Sequence, residues 1–146
     1  MFLKKLFVKE HKNEKVYHMV STDYMKVISS SEIVDMEEPP FNQSKWSSEE
    51  SYRVYLESVQ PIIEEYEKNG KLPEITLNEE MVHPEECKKL VNFRYNFLDF
   101  ASYIDVEKTI DGKYKVCCNG RHRMYVAKKY GLKLLVHVSQ EQRKVD

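Results

Sequence analysis

Hydrophobic and polar positions change period several times along the chain. Phe2, Leu3, Leu6, Phe7 and Val8 form one apolar run, and Val16, Tyr17, Met19 and Val20 form another. Polar His11–Glu14 separates them, so the pattern predicts a β-hairpin. Met25–Ile28 predicts a third short strand. It runs into Ser29-Ser30-Ser31 and an acidic loop, Glu32–Glu38, which Pro39 and Pro40 close.

The period then becomes helical. Ser47-x-x-Glu50 has the spacing of a capping box, and Trp46 before it is placed to staple the helix start. Tyr52, Tyr55, Leu56, Val59, Ile62, Ile63 and Tyr66 follow on one helical face. Pro61 interrupts this stretch, which predicts a kink or a split, and Asn69-Gly70 predicts its end. Pro73–Leu77 reads as a short strand, and Pro84 with Glu85 and Glu86 opens a second helix that runs to about Tyr103. That helix is apolar on a broad face, which would suit the domain core or a homodimer contact through residues 84–103. Asp111-Gly112 is a turn signal. A strand at Tyr114–Cys118, a helix at Arg121–Tyr130 with Gly131 as its cap, and a last strand at Leu132–Val138 complete the order. The polar residues from Ser139 onward read as a frayed tail.

This alternation predicts a single α/β domain, a small mixed sheet with helices packed on it. The divisions it suggests are an N-terminal hairpin extension (1–24), a core domain (25–138) carrying a helical insertion (78–107), and a tail (139–146).

Composition narrows the class. Hydrophobic residues make up 41% and charged residues 32%, a balance that suits a folded chain rather than a disordered one. Apolar runs stay short of the ~18 residues a membrane span needs. The Lys-punctuated start does not read as a signal peptide. Three cysteines do not make a disulfide scaffold, so a cytoplasmic location is expected. The net charge of −1 hides an asymmetry: residues 32–107 hold 18 acidic and 7 basic residues, and residues 108–146 hold 10 basic and 3 acidic. A basic end of that kind suits a small anionic ligand. For DNA it predicts weak, non-specific binding at most.

The most informative stretch is Tyr114-Lys-Val-Cys-Cys-Asn-Gly-Arg-His-Arg-Met-Tyr-Val-Ala-Lys-Lys-Tyr-Gly131. It reads as strand, glycine turn, helix. Asn119-Gly120 permits a sharp turn close to a ligand. The amides that follow open a helix, where unpaired N–H groups and the helix dipole favour an anion. Arg121 and Arg123 add charge, and His122 can donate or accept near neutral pH. Asn119, Gly120, Arg121, His122 and Arg123 are therefore the candidate phosphate-binding residues.

Gly120-x-His122-Arg123-x-x-Ala127, between a strand and Gly131 with its final strand, resembles the ParB/sulfiredoxin superfamily. Weaker matches lie at Val27–Ile33, Leu56–Gly70 and Leu72–Leu77, so the resemblance covers roughly residues 25–138. It implies a nucleotide-binding module, with ATP or CTP as the nucleotide and Mg2+ as a companion ion. Departures argue against two family activities. Sulfiredoxin has a cysteine immediately before the motif histidine, where this chain has Arg121. Only eight residues follow Val138, too few for the helix-turn-helix of the chromosome-partitioning proteins. Free-serine kinases of the superfamily use an acidic residue in the early loop. Glu37 and Glu38 stand at a comparable place, as base or metal ligand, with Glu32 behind them.

Other residues favour plainer roles. Cys117 and Cys118 lack Cys-x-x-Cys spacing and read as strand residues, one of them in the core, rather than as metal ligands with His83, Cys87 or His122. His137 reads as an edge or surface histidine. Lys128 and Lys129 read as a solvated helix surface, or else as an extension of the phosphate patch. Three functions compete. The first is nucleotide binding, with hydrolysis or phosphoryl transfer as its chemistry. The second is a ParB-like nuclease or DNA-processing protein. The third is a non-catalytic interaction protein.

Overall fold

β1 (Tyr17–Ile28) is one strand of 12 residues, where the hydrophobic pattern predicts two short ones. It runs antiparallel to β4 (Leu134–Lys144), from Tyr17 opposite Lys144 to Ile28 opposite Leu134. A bulge between Ser21 and Tyr24 keeps the strand continuous across polar Thr22-Asp23. There the Thr22 hydroxyl donates to the Val138 carbonyl at 2.8 Å. The computed structural model describes residues 17–42, 48–71 and 104–145. The first hairpin strand at 2–8, Trp46, the strand at 73–77 and the helix at 84–103, with His83, Cys87 and the dimer contact, lie outside them.

The sheet order is β1-β4-β2-β3, with β2 at Asp105–Lys108 and β3 at Tyr114–Val116. β4 is parallel to β2, and β2 is antiparallel to β3. Two sequence expectations need correction here. Residues 105–107, assigned to the helical insertion, are strand, because Val106 faces the core and the turn at Asp111-Gly112 folds β3 back onto β2. The polar tail is not frayed: residues 139–144 extend β4, since the length of β1 gives their backbone groups a partner.

A 3₁₀ turn (Ser30–Glu32) follows β1, and Ile33 then forms a parallel bridge to Tyr114, at the opposite edge of the sheet. In a flat sheet a segment paired outside β3 would lie about 19 Å from β1, four spacings of ~4.8 Å. Five residues, three of them in a 3₁₀ turn, reach less than that. The sheet therefore curls strongly. The Lys26 Nζ of β1 lies 5.2 Å from the Tyr114 ring centroid of β3, across the curl.

Within the curl, Ile28, Ile33, Val106, Tyr114, Leu134, Val136 and Val138 pack on Met124, Val126 and Ala127 of α3 (Arg121–Tyr130) and on Leu56. The helical stretch before it is split in two, as Pro61 predicts: α1 is Glu49–Ser58 and α2 is Gln60–Asn69. The N-cap of α1 is Ser48 rather than Ser47, and its hydroxyl accepts from the Ser51 amide at 3.2 Å. The two halves do not face one core, although a helical phase carried across Pro61 would put them on the same side: Leu56 of α1 packs within the curl, whereas Val59 and Ile63 bury against Leu135 on the other face of the sheet. The Gln60 amide fixes the junction. It donates to the Leu56 and Lys133 carbonyls (3.0 and 2.9 Å) and accepts from the Lys133 N–H (2.9 Å). The described residues are thus a mixed α/β arrangement of one four-stranded mixed sheet and three helices.

Candidate functional site

The turn into α3 is built from the backbone upward. β3 stops at Val116, and the chain bends through Cys117–Asn119. Asp105 holds both ends of this bend: its carbonyl accepts from the Cys117 amide at 2.8 Å and its amide donates to the Asn119 carbonyl at 3.1 Å. Gly120 then takes φ +111°, a conformation that L side chains rarely adopt. It is buried against Ile104, and a Cβ there would stand 2.8 Å from the Ile104 Cγ2. The residue type is therefore required twice, by backbone torsion and by space.

Gly120 is the N-cap of α3, and the first helical bond runs from the Met124 amide to the Gly120 carbonyl at 2.9 Å. The amides of Arg121, His122 and Arg123 come before it and have no intrahelical acceptor. α3 has ten residues and no acidic residue in its first turn. Its dipole there is therefore uncompensated from within the helix.

The three basic side chains have different surroundings. Arg121 is exposed. Burial pushes the Arg123 guanidinium pKa down, and the Tyr55 and Tyr52 side chains act in the opposite direction. Arg123 remains cationic in any case. His122 is clamped by its neighbours. Its ring stacks on Tyr52 at 5.6 Å between centroids and 10° between planes, and meets Phe41 edge-on at 5.2 Å. Its Nε2 lies 2.8 Å from the Pro40 carbonyl, which can only accept. Nε2 therefore carries a proton, and Nδ1 is the ring nitrogen left for another partner.

The Pro40 contact places the acidic loop. Lys128 Nζ donates to the Ile33 carbonyl at 2.7 Å and pairs with Asp35 at 3.5 Å, near the far end of α3. Residues 33–40 thus run antiparallel along the helix, from Lys128 to His122. Glu37 and Glu38 lie on this segment near its His122 end, both exposed, and neither bonds to another described residue. Glu32 does not stand behind them. Its carboxylate turns back to the Ser29 amide and hydroxyl (3.0 and 3.1 Å) and caps the 3₁₀ turn.

No protein-family model matches this chain, and no curated protein or solved structure matches it.

Other candidates fall away from the turn or change character. Lys128 and Lys129 are held by structure: Lys129 pairs with Glu49 at 3.1 Å, and Tyr130 donates to the same carboxylate at 2.8 Å. Cys117 and Cys118 are both exposed on the bend after β3, not on the strand, because the bonds to Asp105 end the regular pairing there. His137 is not an edge residue, since β4 is internal to the sheet, and its side chain is half-buried. It stands between two carboxylates, with Nδ1 2.7 Å from Asp105 and Nε2 2.7 Å from Asp23. No sequence spacing announces that pairing, nor the Phe41–Tyr52 clamp on His122, because each joins residues from distant elements. Among the described residues no group of three or more His, Cys, Asp and Glu could hold a metal ion, and no helix is long and apolar enough to cross a membrane.

Proposed function

We propose that this protein binds the phosphate groups of a nucleotide, ATP or CTP, at the turn Asn119–Arg123. The observation that carries the reading is Gly120 at φ +111°, packed on Ile104, ahead of three amides with no intrahelical acceptor. A phosphate would accept from the Arg121 and His122 amides and be met by the Arg121 charge. His122, with Nε2 committed to Pro40, would offer it Nδ1. The ParB/sulfiredoxin-like fold is part of the same proposal. Its support is the order of β3, bend, Gly120, α3, Gly131 and β4, together with the mixed sheet.

The test is a thermal-shift panel of ATP, ADP, CTP and GTP, each with and without Mg2+. A nucleotide at 100 times its Kd stabilises the protein by ~2.7 kcal/mol. Arg121→Ala, a change at an exposed position, lowers that shift and leaves the unliganded midpoint in place. A panel without any stabilisation rejects the reading.

A second reading, hydrolysis or phosphoryl transfer, rests on the course of residues 33–40 along α3. It brings Glu37 and Glu38 to within a few residues of the Pro40–His122 contact. Such chemistry is mainly positioning and charge neutralisation, with one group to orient or deprotonate the nucleophile. Either carboxylate would serve there, or would hold Mg2+ jointly with the phosphates.

A further inference from the structure

Cys117 and Cys118 stand out because two exposed thiols share one short bend, with their Sγ atoms 3.5 Å apart and the Cys118 thiol directed at the Cys117 sulfur. The bend is held on either side of Cys118. The Cys117 amide is bonded to the Asp105 carbonyl, and the Asn119 carbonyl to the Asp105 amide. Cys118 itself makes no backbone bond to a described residue, so it is the member of the pair with room to move. Gln140 Nε2 lies 3.2 Å from the Cys117 Sγ and orients that sulfur.

We propose that Cys117 and Cys118 form a redox-modification site, a vicinal dithiol that closes to an intrachain disulfide by exchange with a low-molecular-weight disulfide and thereby shifts the turn at Asn119-Gly120. The two thiols have unequal tasks. Burial, then the contact with Cys118, pushes the Cys117 thiol above its usual range, which disfavours it as the first attacker. Cys118 thiolate attacks the small disulfide, its S–S bond breaks and one small thiol leaves. Cys117 then loses its proton to solvent and attacks the Cys118 sulfur of the mixed disulfide, releasing the second small thiol. Two protein thiols are oxidised, and one disulfide is reduced to two thiols. A bond of ~2.05 Å replaces the 3.5 Å contact. The resulting ring contains the 117–118 peptide and is strained, and strained disulfides are the readily reduced, reversible ones. The strain falls between the two bonds to Asp105, so the Asn119 carbonyl is pulled from the Asp105 amide. The proposal is independent of phosphate binding.

The test uses the full wild-type chain with oxidised glutathione. Trypsin cuts after Lys115 and Arg121, so Val116–Arg121 is a single peptide that contains both cysteines. The expected product is that peptide lighter by two hydrogens and restored by a reductant, with faster amide exchange at Asp105 in the oxidised protein. Cys118→Ser should yield no such closure. A peptide that stops at mixed disulfides, a cross-link to Cys87, unreacted thiols, or unchanged exchange at Asp105 in the closed form each overturn the proposal.

Discussion

Gly120 and Ile104 touch so closely that no side chain fits between them: a Cβ on the glycine would meet the Ile104 Cγ2 at 2.8 Å and its Cα at 3.1 Å. The second of these neighbours is backbone, so a rotamer change cannot relieve the overlap. Gly120→Ala should therefore destabilise the protein by about 1–3 kcal/mol, from the positive φ and the overlap together. Ile104→Ala in the same chain should restore only part of that loss, because the main chain of residue 104 still crowds the added methyl group. Urea denaturation of the single and double variants checks both statements.

His137 gives a pH dependence with a definite sign. Burial alone would lower its pKa, but the bonds from Asp105 and Asp23 outweigh it, and the net direction is upward. A histidine whose folded pKa is raised stabilises the fold fully below its unfolded value of about 6.5 and loses that contribution as pH rises through the folded value. The denaturation midpoint should therefore fall as pH rises above about 6.5, and His137→Asn should flatten that part of the curve. Asp105→Asn should remove more of the slope than Asp23→Asn, since the Asp105 side chain is 14% exposed and the Asp23 side chain 93%.

Ser48 caps α1 through the Ser51 amide. Ser48→Ala should cost about 1 kcal/mol. Ser48→Asp should keep most of the stability, because its carboxylate can accept from the same amide. Thermal or urea unfolding separates the two variants.

Much of this architecture follows from local sequence signals. The helix of Arg121–Tyr130 and its stop at Gly131, the split at Pro61, the end at Gly70 and the turn at Asp111-Gly112 all depend on glycine and proline torsions, which act within a few residues. What local signals miss depends on distant partners. Residues 139–144 look like a tail until β1 supplies a strand for them, and Asp105–Lys108 is too short to carry a period of its own. The cap lies at Ser48 rather than Ser47 because two adjacent serines offer the same chemistry. In the candidate site, the glycine turn and its basic residues are readable as a string. The Pro40 carbonyl on His122 and the Tyr52 stack are not, because they join residues 82 and 70 positions apart.

The acidic segment separates binding from chemistry. Glu37 and Glu38 are exposed and bond to no described residue, so Glu37→Gln and Glu38→Gln should leave stability nearly unchanged. Nucleotide affinity should hold or tighten as negative charge near the turn is removed. Any Mg2+-dependent nucleotide turnover should fall by ~10²-fold or more in at least one variant, the scale of a lost general base. Turnover equal to wild type in both variants and in the double variant removes this loop from the mechanism.

The central claim is that phosphate meets the first turn of α3, and backbone amide NMR tests it most directly. Titrating the isotope-labelled protein with ATP, CTP and tripolyphosphate should give the largest shifts at the Arg121, His122 and Arg123 amides, with Gly120 and the His122 ring following and β1 unmoved. Saturating shifts confined to another surface, or a folded spectrum that none of the three ligands perturbs at residues 120–123, would contradict it.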